Sequence, residues 1–469
     1  MTKQFFNLIV FLPLAVLGQN TNIVAPTGAY PSEAHFQPVF LEKGECLSDD
    51  DRLELKRKIQ QNKSELLANN PQAFSNLGGG VLFSDPIKPK ASFDDYGYHT
   101  INFLVDHNST PNNNLTDYFC ESRTYDWASG NHAGTDYILW PYPWKRMQEE
   151  MMEIIAPADG VIIEKRDGFP DMNCSINGNP NWNGIVLEHA DGSQTYYLHF
   201  KDGSVTTKGL GESVSQGEYL GLAGSSGSSN IPHLHFEVYD ANNNLIDPYQ
   251  GACNEMNPNS WWESQDAYYV SKINRISTHY TTTFDDTCGV VEDTYEELNF
   301  EPGDQFVLRL FFRDLRNNVP VDITITDPNN DVLIDFTWNS NFGQFYATSW
   351  AHWFWDVTNA WPDGVYNVSV DFEGNTYETI FGVNTNLSIN ETAENQYLVF
   401  PNPASDHFNI QSKSMIETLS LYDITGKLVL NETINKPKAQ ITISDLKSGV
   451  YFAVIKSEGK FSTEKIIKK

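Results

Sequence analysis

The sequence predicts a mainly β protein with three consecutive units: an antiparallel β-sheet domain, an immunoglobulin-like (Ig-like) β-sandwich and a small C-terminal β-sandwich. Three observations lead there. Between 81 and 249, short apolar or alternating runs are separated by Gly, Asp and Pro turns, including the hairpin signal Ala190-Asp191-Gly192. Between 289 and 385, longer alternating runs (306–312, 321–326, 332–338, 366–372) bracket the turns Asp327-Pro328-Asn329-Asn330 and Pro362-Asp363-Gly364. From 397 onward a compact series of short strands runs to the end, and at roughly 150 residues per domain a 469-residue chain has room for three.

Taken in order, residues 19–45 are punctuated by Pro26, Gly28, Pro31 and Pro38 and read as loop or short strand. Residues 48–70 form the strongest helical pattern: Ser48 and the following aspartates mark its start, and Asn69-Asn70-Pro71 stops it. Leu53, Leu55, Ile59, Leu66 and Leu67 recur near helical spacing. A helix here suits either a pro-region covering an active site or an ordinary packing element. A second, short helix is expected over 145–152. Residues 154–163 read as strand, turn, strand, and 184–187 with 195–200 as a hairpin. Residues 221–229 form a Gly/Ser loop without the spacing of a phosphate loop, and it reads as a flexible rim. Trp350 to Trp361 is rich in aromatics that suit carbohydrate binding or, as the favoured reading, a core, with His352 structural. Residues 386–396 are a polar linker.

The formal net charge of −30 repels nucleic acid and anionic membranes. Lys3, the apolar run 5–17 and Val16-Leu17-Gly18 read as a signal peptide over 1–18, cleaved before Gln19. The apolar run is short for a span and Pro13 interrupts it, so no integral membrane segment is expected in the mature chain. Export makes disulfides plausible. Of the five cysteines, two bridges are expected among Cys120, Cys174, Cys253 and Cys288, with Cys46 left over.

Chemistry concentrates in three segments. Pro232-His-Leu-His-Phe-Glu-Val238 puts His233 and His235 on one face of a strand, with Leu234 and Phe236 on the other. That pattern suits a metal or an acid/base site. Upstream, Asn131-His-Ala-Gly-Thr-Asp136 offers His132 and Asp136, good zinc ligands that a bent loop must bring together. Thr195-Tyr-Tyr-Leu-His199 adds a histidine on an expected strand. His189 reads as a hairpin support.

With these motifs in place, residues 76–250 resemble the lysostaphin-type zinc metallopeptidase family, whose members cut peptide bonds, commonly in peptidoglycan. Ala156-Pro-Ala-Asp-Gly160 and the closing Asp247-Pro248-Tyr249 add to the likeness. The resemblance implies one Zn2+ held by His132, Asp136 and His235, with His199 and His233 positioning water and moving protons. Zinc would lower the pKa of water to about 7 and polarise the scissile carbonyl. Tyr125 is a candidate donor to the developing oxyanion. Residues 137–155 and 169–182 depart from the family as apparent insertions, the second containing Cys174.

The tail also resembles a known unit. Phe400-Pro-Asn-Pro403, Gly449-Val-Tyr451 and the basic end are similar to the C-terminal sorting domain of type IX secretion cargo. The implied organisation is signal peptide 1–18, N-terminal segment 19–75 as a possible pro-region, zinc metallopeptidase domain 76–288, Ig-like sandwich 289–385, linker 386–396 and sorting domain 397–469. The implied function is a secreted or surface-attached zinc endopeptidase acting on peptidoglycan cross-bridges or Gly-rich peptides. Two other expectations fit the same motifs: a secreted protease degrading external protein for nutrition, and a non-catalytic wall-binding scaffold.

Overall fold

A computed structural model describes residues 35–38, 44, 47–70, 72, 74, 81–108, 114–127, 130–341, 343–385, 387, 397–423, 427–457 and 460–469. The expected signal peptide 1–18, Cys46 and nearly all of the expected linker 386–396 lie outside them. Within them the protein is mainly β, as expected, with two helices, α1 (Asp49–Asn69) and α2 (Pro143–Gln148). No helix among the described residues is long and apolar enough to cross a membrane.

The first domain is organised by an eight-stranded antiparallel sheet. Its path runs Ser213–Val214, Gly160–Arg166, Gly184–Glu188, Gln194–Leu198, His233–Tyr239, Thr135–Leu139, His99–Phe103, with Leu245–Ile246 pairing off the His233–Tyr239 strand. Register puts His235 opposite both Leu198 and Asp136. Alternation then sorts the His233–Tyr239 strand. Leu234, Phe236 and Val238 enter the main core with Leu187, Tyr197, Phe83 and Trp262. The histidines, Glu237 and Tyr239 take the other face.

Helix α1 covers part of that second face. Ser48 caps it, its Oγ accepting from the Asp51 amide at 3.1 Å, and the Asn70 amide closes the last turn on the Leu66 carbonyl at 2.8 Å. Leu55 and Ile59 pack with Leu47 on Ile163, Trp182, Val186, Tyr196, Leu198 and Tyr239. Leu53 and Leu67, counted with the apolar face from spacing, are exposed. At 100° per residue they fall away from the Leu55–Ile59 stripe. Helix α2 starts at Pro143, two residues before its expected start, because proline suits the first helical position. It ends before Met152, which already pairs with Pro89 in a three-stranded sheet.

Two further sheets form the sandwich, one ordered His35–Pro38, Tyr346–Asp356, Gln305–Leu315, Lys272–His279 and the other Asn299–Phe300, Asn375–Val383, Gly364–Phe372, Pro320–Thr326, Val332–Asn339. Their inner faces share one core, in which Trp353, Trp355 and Trp361 are buried. The aromatics of 350–361 are thus packing residues. Strand Lys272–His279 already belongs to this unit, ahead of the border at 288 drawn from sequence.

The sandwich locks onto the edge strand His99–Phe103. Thr348 Oγ1 donates to Asn102 Oδ1 at 2.6 Å, and Trp140 Nε1 donates to the Phe312 carbonyl at 3.1 Å. Asn274 Nδ2 donates to the His99 carbonyl at 3.0 Å, and the Arg123 guanidinium donates to the Ile101 carbonyl and pairs with Asp314 at 2.6 Å. The aromatic insertion 137–155 is therefore a docking element between the two units. Bridges Cys120–Cys253 and Cys174–Cys288 join the four cysteines expected to pair. The C-terminal unit is one five-stranded sheet. Its long strands His407–Asp423 and Leu428–Thr442 shift register near 411–418, and both halves share one apolar core.

Two buried histidines make stability depend on pH. Burial, then the Arg313 charge, holds His99 well below its usual 6.5, and burial, then the Arg309 charge, does the same for His279. The unfolded chain takes up these protons near pH 6.5 while the folded protein does not. Stability is therefore full above that pH and falls below it, by up to about 1.4 kcal/mol per pH unit for each ring that stays neutral. In urea unfolding between about pH 7 and pH 5, His279→Gln should flatten this slope by about one proton. An unchanged slope would contradict the assignment.

Candidate metal centre

The strands Thr135–Leu139 and His233–Tyr239 create the centre by register. Asp136 and His235 are cross-strand partners, so their side chains leave the sheet together. Asp136 Oδ1 lies 2.8 Å from His235 Nδ1. The bent segment before Thr135 brings in His132, whose Nε2 is 3.2 Å from Asp136 Oδ2 and 3.3 Å from His235 Nδ1. Among the described residues, His132, Asp136 and His235 gather one ligand atom each within 4.8 Å of one another, all buried.

A glycine makes this approach possible. A Cβ on Gly134 would sit 2.6 Å from the Phe236 carbonyl oxygen and 2.8 Å from His235 Cε1. Only a residue without a side chain lets the His132–Asp136 segment lie against the histidine strand.

Both imidazoles are oriented from behind. His132 Nδ1 donates to the Leu104 carbonyl at 2.7 Å, turning Nε2 into the cluster, and Tyr125 stacks on the ring at 4.3 Å. His235 Nε2 donates to Glu237 Oε1 at 2.8 Å, turning Nδ1 inward. Burial would lower the pKa of His235, but Asp136 and Glu237 outweigh it and raise it to about 9. Burial would raise Asp136, but His132 and His235 outweigh it and hold the carboxylate well below its usual range. At neutral pH the His235 ring thus donates from both nitrogens. A cation replacing the Nδ1 proton leaves Nε2–H on Glu237, the arrangement that orients histidine ligands in metal sites. Two imidazole nitrogens and a carboxylate make a donor set suited to zinc with one position left open.

His199 and His233 stand beside this cluster. Their rings are 4.6 Å apart, and His233 Nε2 is 3.8 Å from Asp136 Oδ1. His199 Nδ1 donates to the Ser226 carbonyl at 2.6 Å and His233 Nδ1 to the Ile231 carbonyl at 2.8 Å. In each neutral ring Nε2 is then the basic nitrogen. Burial lowers both pKa values; at His199 the His233 and His235 charges deepen the fall, whereas at His233 Asp136 and the Ile231 carbonyl oppose it. His199 was expected on a strand. It lies one residue beyond Gln194–Leu198 with φ of 71°, where the chain turns so that the Phe200 amide reaches the Asn183 carbonyl.

The Gly/Ser loop lines the cavity but is no flexible rim. Ser225, Ser226 and Ser229 are buried, and their hydroxyls are bonded: Ser226 Oγ to the Phe200 carbonyl, Ser225 Oγ to Ser229 Oγ. Small side chains let the loop pack inward and satisfy its own polar groups. The cavity is lined by Tyr125, Asp136, Ile176, His199, Ser228 and His233 among others. Ile176 comes from the insertion 169–182, tethered by Cys174–Cys288. His189 holds the hairpin, its ring between the Asp159 carbonyl and Thr195 Oγ1 at 2.8 Å each.

Sequence reasoning missed Glu237 and Arg52. The signal for Glu237 was present: in His233-Leu-His-Phe-Glu237 it continues the histidine face by the same alternation. Arg52, 185 residues upstream, leaves no such local mark.

Peptidase family M23 matches residues 145–248, and the Secretion system C-terminal sorting domain matches 398–469. The chain therefore carries an M23 peptidase domain and a secretion sorting domain. His132 and Asp136 fall upstream of the matched M23 stretch. Cell division protein DipM of Caulobacter vibrioides is 35% identical over 88 residues, covering 19% of this chain and 14% of that protein. The DD-carboxypeptidase/endopeptidase Mpg of Neisseria gonorrhoeae is 31% identical over 109 residues, 23% of this chain and 20% of that one. Peptidoglycan DD-endopeptidase ShyC of Vibrio cholerae is 30% identical over 106 residues, 23% and 19%. The chain thus spans about a fifth or less of the length of these curated relatives. Among solved structures, the catalytic domain of lysostaphin from Staphylococcus simulans is 20% identical, with 38% of this chain and 92% of that domain covered and a TM-score of 0.19.

Gly134→Ala should push the His132–Asp136 segment off His235 and weaken metal uptake by the purified protein about 10-fold or more. Uptake equal to wild type would show that the close approach is dispensable.

Proposed function

We propose that this chain is an exported zinc-dependent endopeptidase that hydrolyses peptide bonds in peptidoglycan or Gly-rich peptides. The observation that carries the reading is the convergence of His132 Nε2, Asp136 and His235 Nδ1 within 4.8 Å, with each imidazole turned inward by a partner on its other nitrogen. Zinc bound there would acidify a water and polarise the scissile carbonyl.

The remaining steps belong to the protein. His132, Asp136 and His235 hold the ion. His199 and His233, neutral and presenting Nε2, hold the attacking water and accept its proton, which they then return to the leaving amine. Tyr125, which stacks on His132 and lines the cavity, is our candidate donor to the developing oxyanion. Peptidoglycan is favoured as substrate because the names of Mpg and ShyC describe endopeptidases, the latter a peptidoglycan enzyme. With residues 1–18 as leader and 397–469 as the element that the secretion machinery reads, the mature enzyme is released from the cell or held at its surface.

His235→Ala and Asp136→Ala should each abolish zinc binding and hydrolysis. His233→Ala should keep zinc and lose about 10²–10⁴ in turnover. The measurement is mass spectrometry of products from purified peptidoglycan and from a Gly-rich protein, with and without chelator, beside metal analysis of each variant. Hydrolysis unchanged in all three variants would sink the reading.

A further inference from the structure

We infer that α1 is a permanent part of the hydrolytic unit and that its Arg52 is a positioning residue for the metal ligand His235. The inference rests on the proposed zinc site. Of the two expectations for the helix in residues 19–75, it takes the packing element over the pro-region.

Beyond His235, the sheet face beneath α1 carries three carboxylates. The Glu237 side chain is 0% exposed, Glu164 1% and Glu188 9%. Buried charges destabilise a fold by several kcal/mol unless they are paired and hydrogen-bonded. Helix α1 supplies a partner to each. Arg52 Nη1 reaches both Glu237 oxygens at 2.6 Å, Lys58 lies 3.5 Å from Glu164, and Lys63 pairs with Glu188. Asn62 Nδ2 adds donations to Glu164 Oε2 at 2.7 Å and to the Ile163 carbonyl at 2.9 Å. Charge and shape match along the helix, since Leu55 and Ile59 fill the apolar ground between these pairs.

One of the pairs leads to the metal centre. Glu237 accepts from His235 Nε2 at 2.8 Å, from Tyr239 Oη at 2.8 Å and from Arg52. Arg52 also reaches Tyr239 Oη at 3.1 Å. Arg52 and Tyr239 thus clamp the carboxylate from two sides and leave Oε1 facing His235. Removing Arg52 leaves a buried carboxylate short of its counter-charge, able to rotate away from His235. The ring then loses the bond that keeps Nδ1 facing His132 and Asp136. Partners of this kind, one bond behind a ligand, typically change metal affinity by about 10- to 100-fold.

The test uses the full chain and measures zinc affinity by competition with a chromophoric chelator, with the absorption spectrum of the cobalt-loaded protein as a second readout. Arg52→Met should weaken zinc by about 10-fold or more and shift the cobalt bands. Arg52→Lys should recover part of both. Lys63→Met removes a pair of the same helix that touches no ligand, and it should leave affinity within about 3-fold of wild type and the spectrum unchanged, since Glu188 bonds Lys63 and Gln194 and neither orients a ligand. If Arg52→Met alone is too unstable to purify, it is tested on a Glu237→Gln background. There the amide oxygen still accepts from His235 and no charge needs Arg52, so Arg52→Met should add little further loss. Wild-type affinity and spectrum in Arg52→Met, an equal loss in Lys63→Met, or an equal loss on the Gln background would each overturn the inference. Failure of the wild-type chain to bind zinc would instead overturn the site reading beneath it.

Discussion

The pairing of Asp136 with His235 across two hydrogen-bonded strands is the constraint on which the rest of the centre depends. A slip of one residue in that register would send His235 into the apolar core and Leu234 or Phe236 into the cavity. The apolar face of the same strand resists such a slip, because Leu234, Phe236 and Val238 are fully committed to the core. The hydrophobic pattern therefore fixes the ligand geometry. His132 enters this frame only because Gly134 has no side chain to keep it out.

Around that pair the site is built in layers that come from distant parts of the chain. The Leu104 carbonyl orients His132, and Glu237 orients His235. The Gly/Ser loop orients His199 through the Ser226 carbonyl, while the Ile231 carbonyl orients His233. Three of the four orienting groups are main-chain carbonyls, held by strand and loop geometry. The fourth is a side chain, and it needs a helix from the N-terminal segment to neutralise it. That difference explains why the helix matters more to His235 than to its neighbours.

Much of this could be read from the residues. The His233-Leu-His235 alternation, the Gly-containing ligand segment and the Ser48 cap are local signals, and each appears in the structure where spacing put it. The β-rich class followed from alternation and turn residues for the same reason. What escaped depends on tertiary contact. Nothing near Arg52 announces Glu237. The left-handed backbone at His199 is imposed by the Phe200–Asn183 bond, and a propensity argument simply extends the strand through it. The Gly/Ser loop is flexible by composition but buried by its partners. The strand Lys272–His279 follows an irregular aromatic stretch, and only its pairing with Gln305–Leu315 assigns it to the sandwich.

The side-chain caps on the His99–Phe103 strand have a separate consequence. This strand ends the large sheet, and an uncovered sheet end is a template on which another extended chain can zip itself. Here the His99 and Ile101 carbonyls are already taken by Asn274 and Arg123, and the sandwich presses Thr348 against Asn102. Another extended chain, a second copy included, cannot extend the sheet on that flank. The same few side chains keep this end of the sheet from becoming a seed for aggregation.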